Sequence, residues 1–318
     1  MKNKLSIIIV NYNGKDLLAE GLPTILEAAI FSNVIYEIIV VDNASRDDSS
    51  AFLKNKYPDV ILLPRKINDY WFSVNEGIKK SSYEHLLLLN NDIKLERCCI
   101  EYLLAHFDKD DETTFAVVPK EMSWDGALPL KGAQGIEIKN GSFSPSIESI
   151  YPDNPIITFN AGNAMYARDK LLKLDLFDPV FYPFCYEDVD VSYRAWKAGF
   201  KIIYEPKAII YHKSRATINK YVTQDDQAKY IFKNSFLFVW KNITDIRLFS
   251  MHIFFLIAKL INGLLFFRRK KSTLFGFVLA MQSLKQVRIS RKIAAKNFIL
   301  TDREILHKLD MSKFYEKY

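Results

Sequence analysis

The chain has only three cysteines in 318 residues, Cys98, Cys99 and Cys185, and no CxxC pair. That argues against a disulfide framework or a zinc cluster, fits a reducing compartment, and leaves the three thiols as small core hydrophobes. No GxGxxG follows the first apolar run, which disfavours a dinucleotide-dependent dehydrogenase. Neither internal repeats nor a low-complexity linker breaks the chain. A secretory leader is not expected either. In MKNKLSIIIVNYNG the apolar run is interrupted at Asn11, too early for a signal core, and no small-residue cleavage site follows, so the segment reads as a first strand.

What is present can fill a large core: 49% of residues are apolar and 14% aromatic, which is incompatible with a disordered chain. The length suits one α/β catalytic domain plus an appendage. The net charge of +7 is unevenly spread. Residues 1 to 245 carry 29 Lys+Arg against 33 Asp+Glu, net −4, whereas residues 246 to 318 carry 15 against 4, net +11. The main body therefore calls for no nucleic acid. The tail holds a nearly continuous apolar run, Leu248 to Phe267, followed by Arg268-Arg269-Lys270-Lys271, and points to an anionic membrane surface. The run approaches the roughly 20 residues of a bilayer span. At about 100° per residue, however, His252, Lys259 and Gly263 share one narrow stripe with Asn262 beside it, which predicts a helix lying in an interface or packed on protein.

Apolar, β-branched runs at Leu5–Val10, Glu37–Asp42, Val60–Leu63 and His85–Leu89 alternate with helical segments, the pattern of a parallel sheet covered on both faces. Ligands of such sheets bind at the carboxyl ends of the strands. There the sequence sets Asn11-Tyr12-Asn13-Gly14, Asp42-Asn43-Ala44-Ser45 and Asn90-Asn91-Asp92, three polar clusters expected to meet in one crevice. From Phe115 to about Arg168 the texture turns to short strands with an Asn-Gly hairpin signal. A helix then opens near Glu187 and closes at Gly199, followed by strands at 202–204 and 209–211 that end on His212. An Asp after an apolar strand suits a divalent metal with a diphosphate, and the separate carboxylates Glu187, Asp188 and Asp190 suit a general base. Together they suggest group transfer from an activated phosphate donor. Capping by the helix dipole is the bland alternative for that second cluster, with Asp190 and Arg194 simply paired four residues apart.

The succession SIIIVNYNG, IIVVDNASRDDS, NDYWFSVNEGIKKS, LLLLNND, YEDVDVSYRAWKAGF and YHKSRAT resembles the family 2 inverting glycosyltransferases, and within them the rhamnosyltransferase-like branch, in correct order from Leu5 to Thr217. The resemblance implies a GT-A fold, a Rossmann-like mixed sheet flanked by helices, over residues 1–223. Within it, 1–92 would bind the nucleotide sugar and 93–223 the acceptor, and 224–318 would form a helical, membrane-associating appendage. It implies a nucleotide-diphosphate sugar donor, Mg²⁺ or Mn²⁺, a glycan or lipid-linked oligosaccharide acceptor, and a place on the cytoplasmic face of the membrane. Carried over by position, Asn90, Asp92 and His212 form the metal site. Asn91 meets the ribose, and Asn11, Asn13, Asp42, Asn68, Asn75 and Arg215 meet the donor. Asp188 is the catalytic base, with Glu187 second. Trp71 and Phe72 depart from the small residues that the family often shows there, and Gly162 matches a small residue near the acceptor. Processive synthases of this superfamily carry a QxxRW motif and several membrane spans; neither is found here, so one sugar per visit is expected. A sugar-nucleotide pyrophosphorylase would need a glycine- and arginine-rich loop where NYNGKD stands. A non-catalytic membrane-associated module is the remaining alternative. Truncation after Asp245 is expected to leave a domain that still binds nucleotide.

Overall fold

Leu5, Ile7 and Ile9 of β1 (Lys4–Asn11) pack on one face of a sheet and Ile8 on the other, all of them buried, so the continuous apolar run is explained by burial on both sides. The computed structural model describes residues 2–107, 112–146, 149–213 and 222–310, and for 267–270 the backbone only. After β1 come α1 (Lys15–Phe31), β2 (Ile35–Asp42), α2 (Ser49–Lys56), β3 (Ile61–Pro64), α3 (Val74–Lys80) and β4 (His85–Asn90). β1 pairs in parallel with both β2 and β4, and β2 with β3. The register sets Asn11 opposite Asp42 and Val10 opposite Asn90, which brings the three polar strand ends to one level.

The second half supplies β5 (Ile93–Leu95), α4 (Cys99–Leu104), β6 (Thr114–Ser123), β7 (Pro129–Lys131), β8 (Ile136–Lys139), β9 (Ser142–Pro145), β10 (Ile156–Ile157), β11 (Ala164–Ala167), α5 (Arg168–Lys173), α6 (Glu187–Lys197) and β12 (Lys201–His212). Among the described residues the main sheet runs β10-β12-β6-β11-β4-β1-β2-β3, with β5 beside β12 and β7 beside β6. β11 is antiparallel to β4 and β6, so the sheet is mixed. β8 and β9 form the expected hairpin about Asn140-Gly141, whose φ values of 50° and 69° both lie in the left-handed region that this dipeptide favours. The two strands expected at 202–204 and 209–211 are one strand, β12, whose register on β6 shifts between Glu205 and Ile209. Pro206, which has no N–H to donate, falls within that shift.

The helices that follow are α7 (Gln224–Asn242), α8 (Ile246–Leu265), α9 (Phe267–Gln282), α10 (Leu284–Ala294) and α11 (Asp302–Lys308). The boundary expected at 223 does not separate two cores. Phe236, Leu237, Phe238 and Val239 of α7 belong to the same buried cluster as Val191, Tyr193 and Ala195 of α6 and Ile8 of β1. Polar contacts bind the two helices as well: Asp190, fully buried, accepts hydrogen bonds from Arg194 Nε, Lys241 Nζ and Asn242 Nδ2, each at 2.8 Å. The i,i+4 pair read from the sequence is thus real, and it is shared with α7.

α8 is amphipathic in the inverse sense. Its polar stripe faces the protein: His252 Nδ1 lies 2.7 Å from the Gly141 carbonyl, and Lys259 Nζ donates to Ser142 Oγ at 2.7 Å. Phe254, Ile257, Ile261, Leu264 and Leu265 are exposed on the other side, and Phe275, Val278 and Met281 of α9 are exposed too. Of the three free cysteines only Cys99 is fully buried; Cys98 and Cys185 are partly accessible.

Candidate active site

The strand ends converge as the sequence predicts. Asn11, without solvent exposure, donates from Nδ2 to Asp42 Oδ1 at 2.9 Å and accepts from Asn91 Nδ2 at 2.8 Å, so β1, β2 and the turn after β4 are joined side chain to side chain. Ser45 donates to the same Asp42 oxygen at 2.5 Å and Ser50 to the other at 3.2 Å. Asn13 accepts from Arg46 N at 2.7 Å, which ties the two loops together. Gly14 is required by this crowding. A Cβ there would lie 2.0 Å from Asn91 Nδ2 and 2.6 Å from Asn11 Oδ1.

Two of the expected donor contacts are otherwise engaged. Asn75 uses both ends of its amide on the backbone of Phe177, donating to its carbonyl at 2.8 Å and accepting from its N–H at 3.2 Å. Asn68 accepts from Tyr70 N at 2.9 Å and shapes a turn whose Tyr70 carbonyl accepts from Asn43. Phe72 is buried and Trp71 packs edge-on against Phe177, so this aromatic pair fills core. Arg215 lies outside the described residues, as do Ser214 and Thr217 of the same motif.

At the carboxyl end of β4 the Asn90 N–H donates to Asn163 Oδ1 at 2.9 Å. Asp92 and His212 face each other, with Oδ1 and Nε2 3.2 Å apart, and His212 Nδ1 stands 2.6 Å from Glu121 Oε1. Asp92 Oδ1 is buried and makes no well-directed hydrogen bond. Burial alone would lower the basicity of His212, but the Asp92 and Glu121 carboxylates outweigh it and raise the imidazole to about 10. The set suits a divalent cation, because an orphaned buried carboxylate oxygen and an imidazole nitrogen lie at the separation of neighbouring ligands of one octahedral ion, about 3 Å. Among the described residues no three His, Cys, Asp or Glu side chains form a complete cage, so further ligands would have to come from a bound molecule or water.

The carboxylate pair opens α6. Cys185 and Tyr186 precede it with φ of 69° and 74°, two consecutive non-glycine residues in the left-handed region. α7 holds this strained loop: Asn234, without solvent exposure, donates from Nδ2 to the carbonyls of Phe181, Phe184 and Cys185 at 2.6, 2.8 and 2.9 Å. Asp188 accepts from Asn160 Nδ2 at 2.9 Å and from Val189 N at 2.8 Å. Gly162 leaves space beside it, since a Cβ there would sit 3.7 Å from Asp188 Oδ2 and 3.4 Å from Lys131 Nζ.

Glu187 differs sharply from its neighbour. One of its oxygens is buried without a partner, and burial, reinforced by the Asp188 charge, pushes its carboxyl up to about 8. That shift favours its protonated form at neutral pH. The sign of the stability effect follows. Between its ordinary value of 4.5 and about 8, the folded state binds more protons at Glu187 than the unfolded state, so stability falls as pH rises through that window. The melting temperature of the wild type is expected to drop between pH 6 and 9 by several degrees more than that of Glu187→Gln. Parallel pH profiles for the two proteins would show that the carboxyl ionises freely.

Glu121, Asn160, Lys131 and Asn234 contact or adjoin the candidate residues, and motif reading does not find them. Each lies in a stretch without distinctive spacing, and only sheet pairing or helix packing brings it to the crevice.

The profile of glycosyl transferase family 2 matches residues 6–174, more than half of the chain. The chain belongs to glycosyl transferase family 2. The matched segment runs from β1 to the end of α5 and stops short of α6. Among curated proteins the chain is 34% identical over 177 residues to poly(ribitol-phosphate) beta-glucosyltransferase of Bacillus spizizenii, covering 54% of this chain and 26% of that protein. It is 25% identical over 231 residues to hyaluronan synthase of Pasteurella multocida, covering 63% and 24% respectively. To poly-beta-1,6-N-acetyl-D-glucosamine synthase of Staphylococcus epidermidis it is 24% identical over 218 residues, covering 64% and 48%. The chain thus spans about a quarter to a half of the length of these relatives. Among solved structures, GalNAc-T7 with UDP, GalNAc and Mn²⁺ superposes with a TM-score of 0.61 at 16% identity, over 76% of this chain and 48% of that one. S. aureus TarS 1–349 superposes with 0.56 at 14% identity, over 100% and 93%. At such identities the likeness establishes the fold, which is GT-A.

Proposed function

We propose that this family 2 member is an inverting glycosyltransferase that moves one sugar from a nucleotide diphosphate to a glycan or lipid-linked acceptor of a bacterial surface polysaccharide. The observation that carries the reading is the nearness of two sites: the Asp92–His212 carboxylate–imidazole pair, and Asp188 at the start of α6, linked through Asn163, which accepts from Asn90 N, and Gly162, where a Cβ would lie 3.7 Å from Asp188 Oδ2. In the proposed step Asp188 takes the proton of the acceptor hydroxyl as its oxygen attacks the anomeric carbon. The bond from that carbon to the diphosphate oxygen breaks, and the nucleoside diphosphate leaves. Asn160, which donates to Asp188 from Nδ2, fixes the orientation of that carboxyl at the start of α6. The Asn11–Asp42–Asn91 cluster is the proposed seat of base and ribose. Asp92 and His212 would hold Mg²⁺ or Mn²⁺, which when bound neutralises charge on the leaving diphosphate.

Support for the cation also comes from the Mn²⁺ and UDP in the GalNAc-T7 structure of the same fold. Rhamnose is the donor sugar favoured by the order of the motifs, whereas the curated relatives include a glucosyltransferase and an N-acetylglucosamine polymer synthase. A panel of UDP-, dTDP- and GDP-sugars, each with Mn²⁺ or with chelator, therefore tests the reading. Slow, Mn²⁺-stimulated release of one nucleoside diphosphate is expected, and no release from any donor would refute it. Asp92→Ala should weaken donor binding at least tenfold in Mn²⁺ and little in chelator. Equal losses in the two buffers would rule out a bridging ion.

We further infer that α8 to α10 lie on the cytoplasmic face of an anionic membrane. α8 is the one helix among the described residues long and apolar enough to cross a bilayer, with a mean hydropathy of 1.8 over its most apolar window. Spanning would, however, pull His252 and Lys259 away from the β8–β9 hairpin. A surface position keeps those contacts, buries the outward Phe254, Ile257, Leu264 and Leu265, and sets the exposed Lys285, Arg288 and Lys292 near lipid phosphates. At about 1 kcal/mol per basic side chain, Lys285→Glu with Arg288→Glu and Lys292→Glu is expected to weaken flotation with phosphatidylglycerol vesicles more than tenfold. High salt should do the same to the wild type. Flotation unchanged by both would mean insertion across the bilayer.

A further inference from the structure

We propose that Glu121 is a positioning residue for the cation site: it holds His212 with the proton on Nδ1, so that Nε2 is the nitrogen that faces the ion His212 would share with Asp92. The inference rests on the reading that Asp92 and His212 share a divalent cation.

The placement comes from the sheet. β12 runs parallel to β6 with His212 opposite Ser123, and β5 brings Ile93, next to Asp92, opposite His212 from the other side. Glu121 precedes Ser123 by two residues, so alternation along the strand puts its side chain on the same face as His212. The imidazole therefore lies between two carboxylates, one at each nitrogen, 2.6 Å at Nδ1 and 3.2 Å at Nε2. The side chains of His212 and Glu121 are each only 14% exposed, so water does not readily replace either partner.

The two contacts are unequal, and the difference decides the tautomer. At 2.6 Å from a carboxylate oxygen, Nδ1 must donate, because a bare nitrogen lone pair there would face an acceptor at contact distance. Nε2 is then the nitrogen left to face the ion, beside Asp92 Oδ1, an oxygen with no directed hydrogen bond of its own. A carboxylate on the outer nitrogen of a metal-binding histidine orients the ring and raises its basicity as a ligand, and removing such a partner typically costs 10–100-fold in metal affinity. Glu121 itself sits on the far side of the ring, where it does not compete for the ion.

The test is Mn²⁺ binding, followed by the electron paramagnetic resonance of free Mn²⁺, with and without UDP. Glu121→Ala is expected to weaken Mn²⁺ binding 10–100-fold. Glu121→Gln, whose amide oxygen still accepts from Nδ1–H, should recover most of the loss. UDP affinity in chelator should be the same for all three proteins. If the wild type binds no Mn²⁺ with UDP, the cation reading falls and this inference with it. If the wild type binds and Glu121→Ala binds equally well, the cation reading stands and the positioning role is overturned. The wild type alone gives an answer independent of how the variants fold. ¹⁵N NMR of His212 with Mg²⁺ and UDP should report a proton on Nδ1 and none on Nε2, and a proton on Nε2 in that state would refute the proposal.

Discussion

Asp188→Asn is expected to slow sugar transfer by about 10²–10⁴-fold, the usual worth of a general base, while donor affinity stays within about threefold. The amide is isosteric and can still accept from Val189 N, so the start of α6 should keep its geometry. What it cannot do is take the acceptor proton. The result to measure is a drop in kcat at unchanged donor KM, with the nucleotide binding isotherm superimposable on that of the wild type. Glu187→Gln is the control, because a carboxyl held protonated at neutral pH has little ionic function to lose. If Asp188→Asn turns over at near wild-type rate, Asp188 is not the base. If Glu187→Gln is the variant that fails, the roles of the two carboxyls are reversed.

Removal of residues 246–318, or the single change Asp302→Ala, is expected to destabilise the catalytic domain by about 3–5 kcal/mol, the cost of leaving a buried charge without its partner. Asp302 of α11 reaches back to α6. Its Oδ1 accepts from Lys197 Nζ at 2.9 Å and Tyr193 OH at 2.8 Å, and its Oδ2 from Thr244 N at 2.7 Å and Asp245 N at 2.6 Å. Lys197 is 1% exposed and Asp302 not at all. Arg291 of α10 adds a second tie, donating to the carbonyls of Trp240, Lys241 and Ile243 at 2.9, 3.2 and 2.8 Å. Loss of the segment strands Lys197 within α6 itself. The expectation from sequence, that truncation after Asp245 leaves a more soluble nucleotide-binding domain, is therefore reversed: the truncated chain should unfold at lower denaturant and lose nucleotide binding with it. Adding Lys197→Met to Asp302→Ala should restore only part of the stability, because it removes the unpaired charge while the Tyr193 hydroxyl and the Thr244 and Asp245 N–H groups stay without their acceptor. A truncated protein as stable as the full chain would mean that the Lys197–Asp302 pair contributes nothing net.

Much of the layout of the candidate site was legible in the residue order because it depends on local spacing. An apolar strand that ends in Asn, Asp or Asn-Asn-Asp carries its polar residue to the sheet edge whatever the rest of the chain does. Parallel pairing then brings Asn11, Asp42 and Asn90 to one level. Glu187 and Asp188 at a helix start, the Asn-Gly hairpin and His212 at a strand end are local in the same way. Which side chains touch was not local. Asn75 keeps its motif position yet spends its amide on Phe177, 102 residues away, and Glu121 finds His212 across 91 residues through the register of β6 on β12. The sequence alone therefore determined the alternating α/β order, the carboxylate-bearing segments and the apolar, basic tail. Only the tertiary structure decided that α7 shares the core of the sheet and α6, that α8 turns its polar stripe inward and its apolar face out, and that burial raises the Glu187 carboxyl. Each of those outcomes depends on which surfaces lose water when distant segments pack, and spacing along one segment carries no information about that.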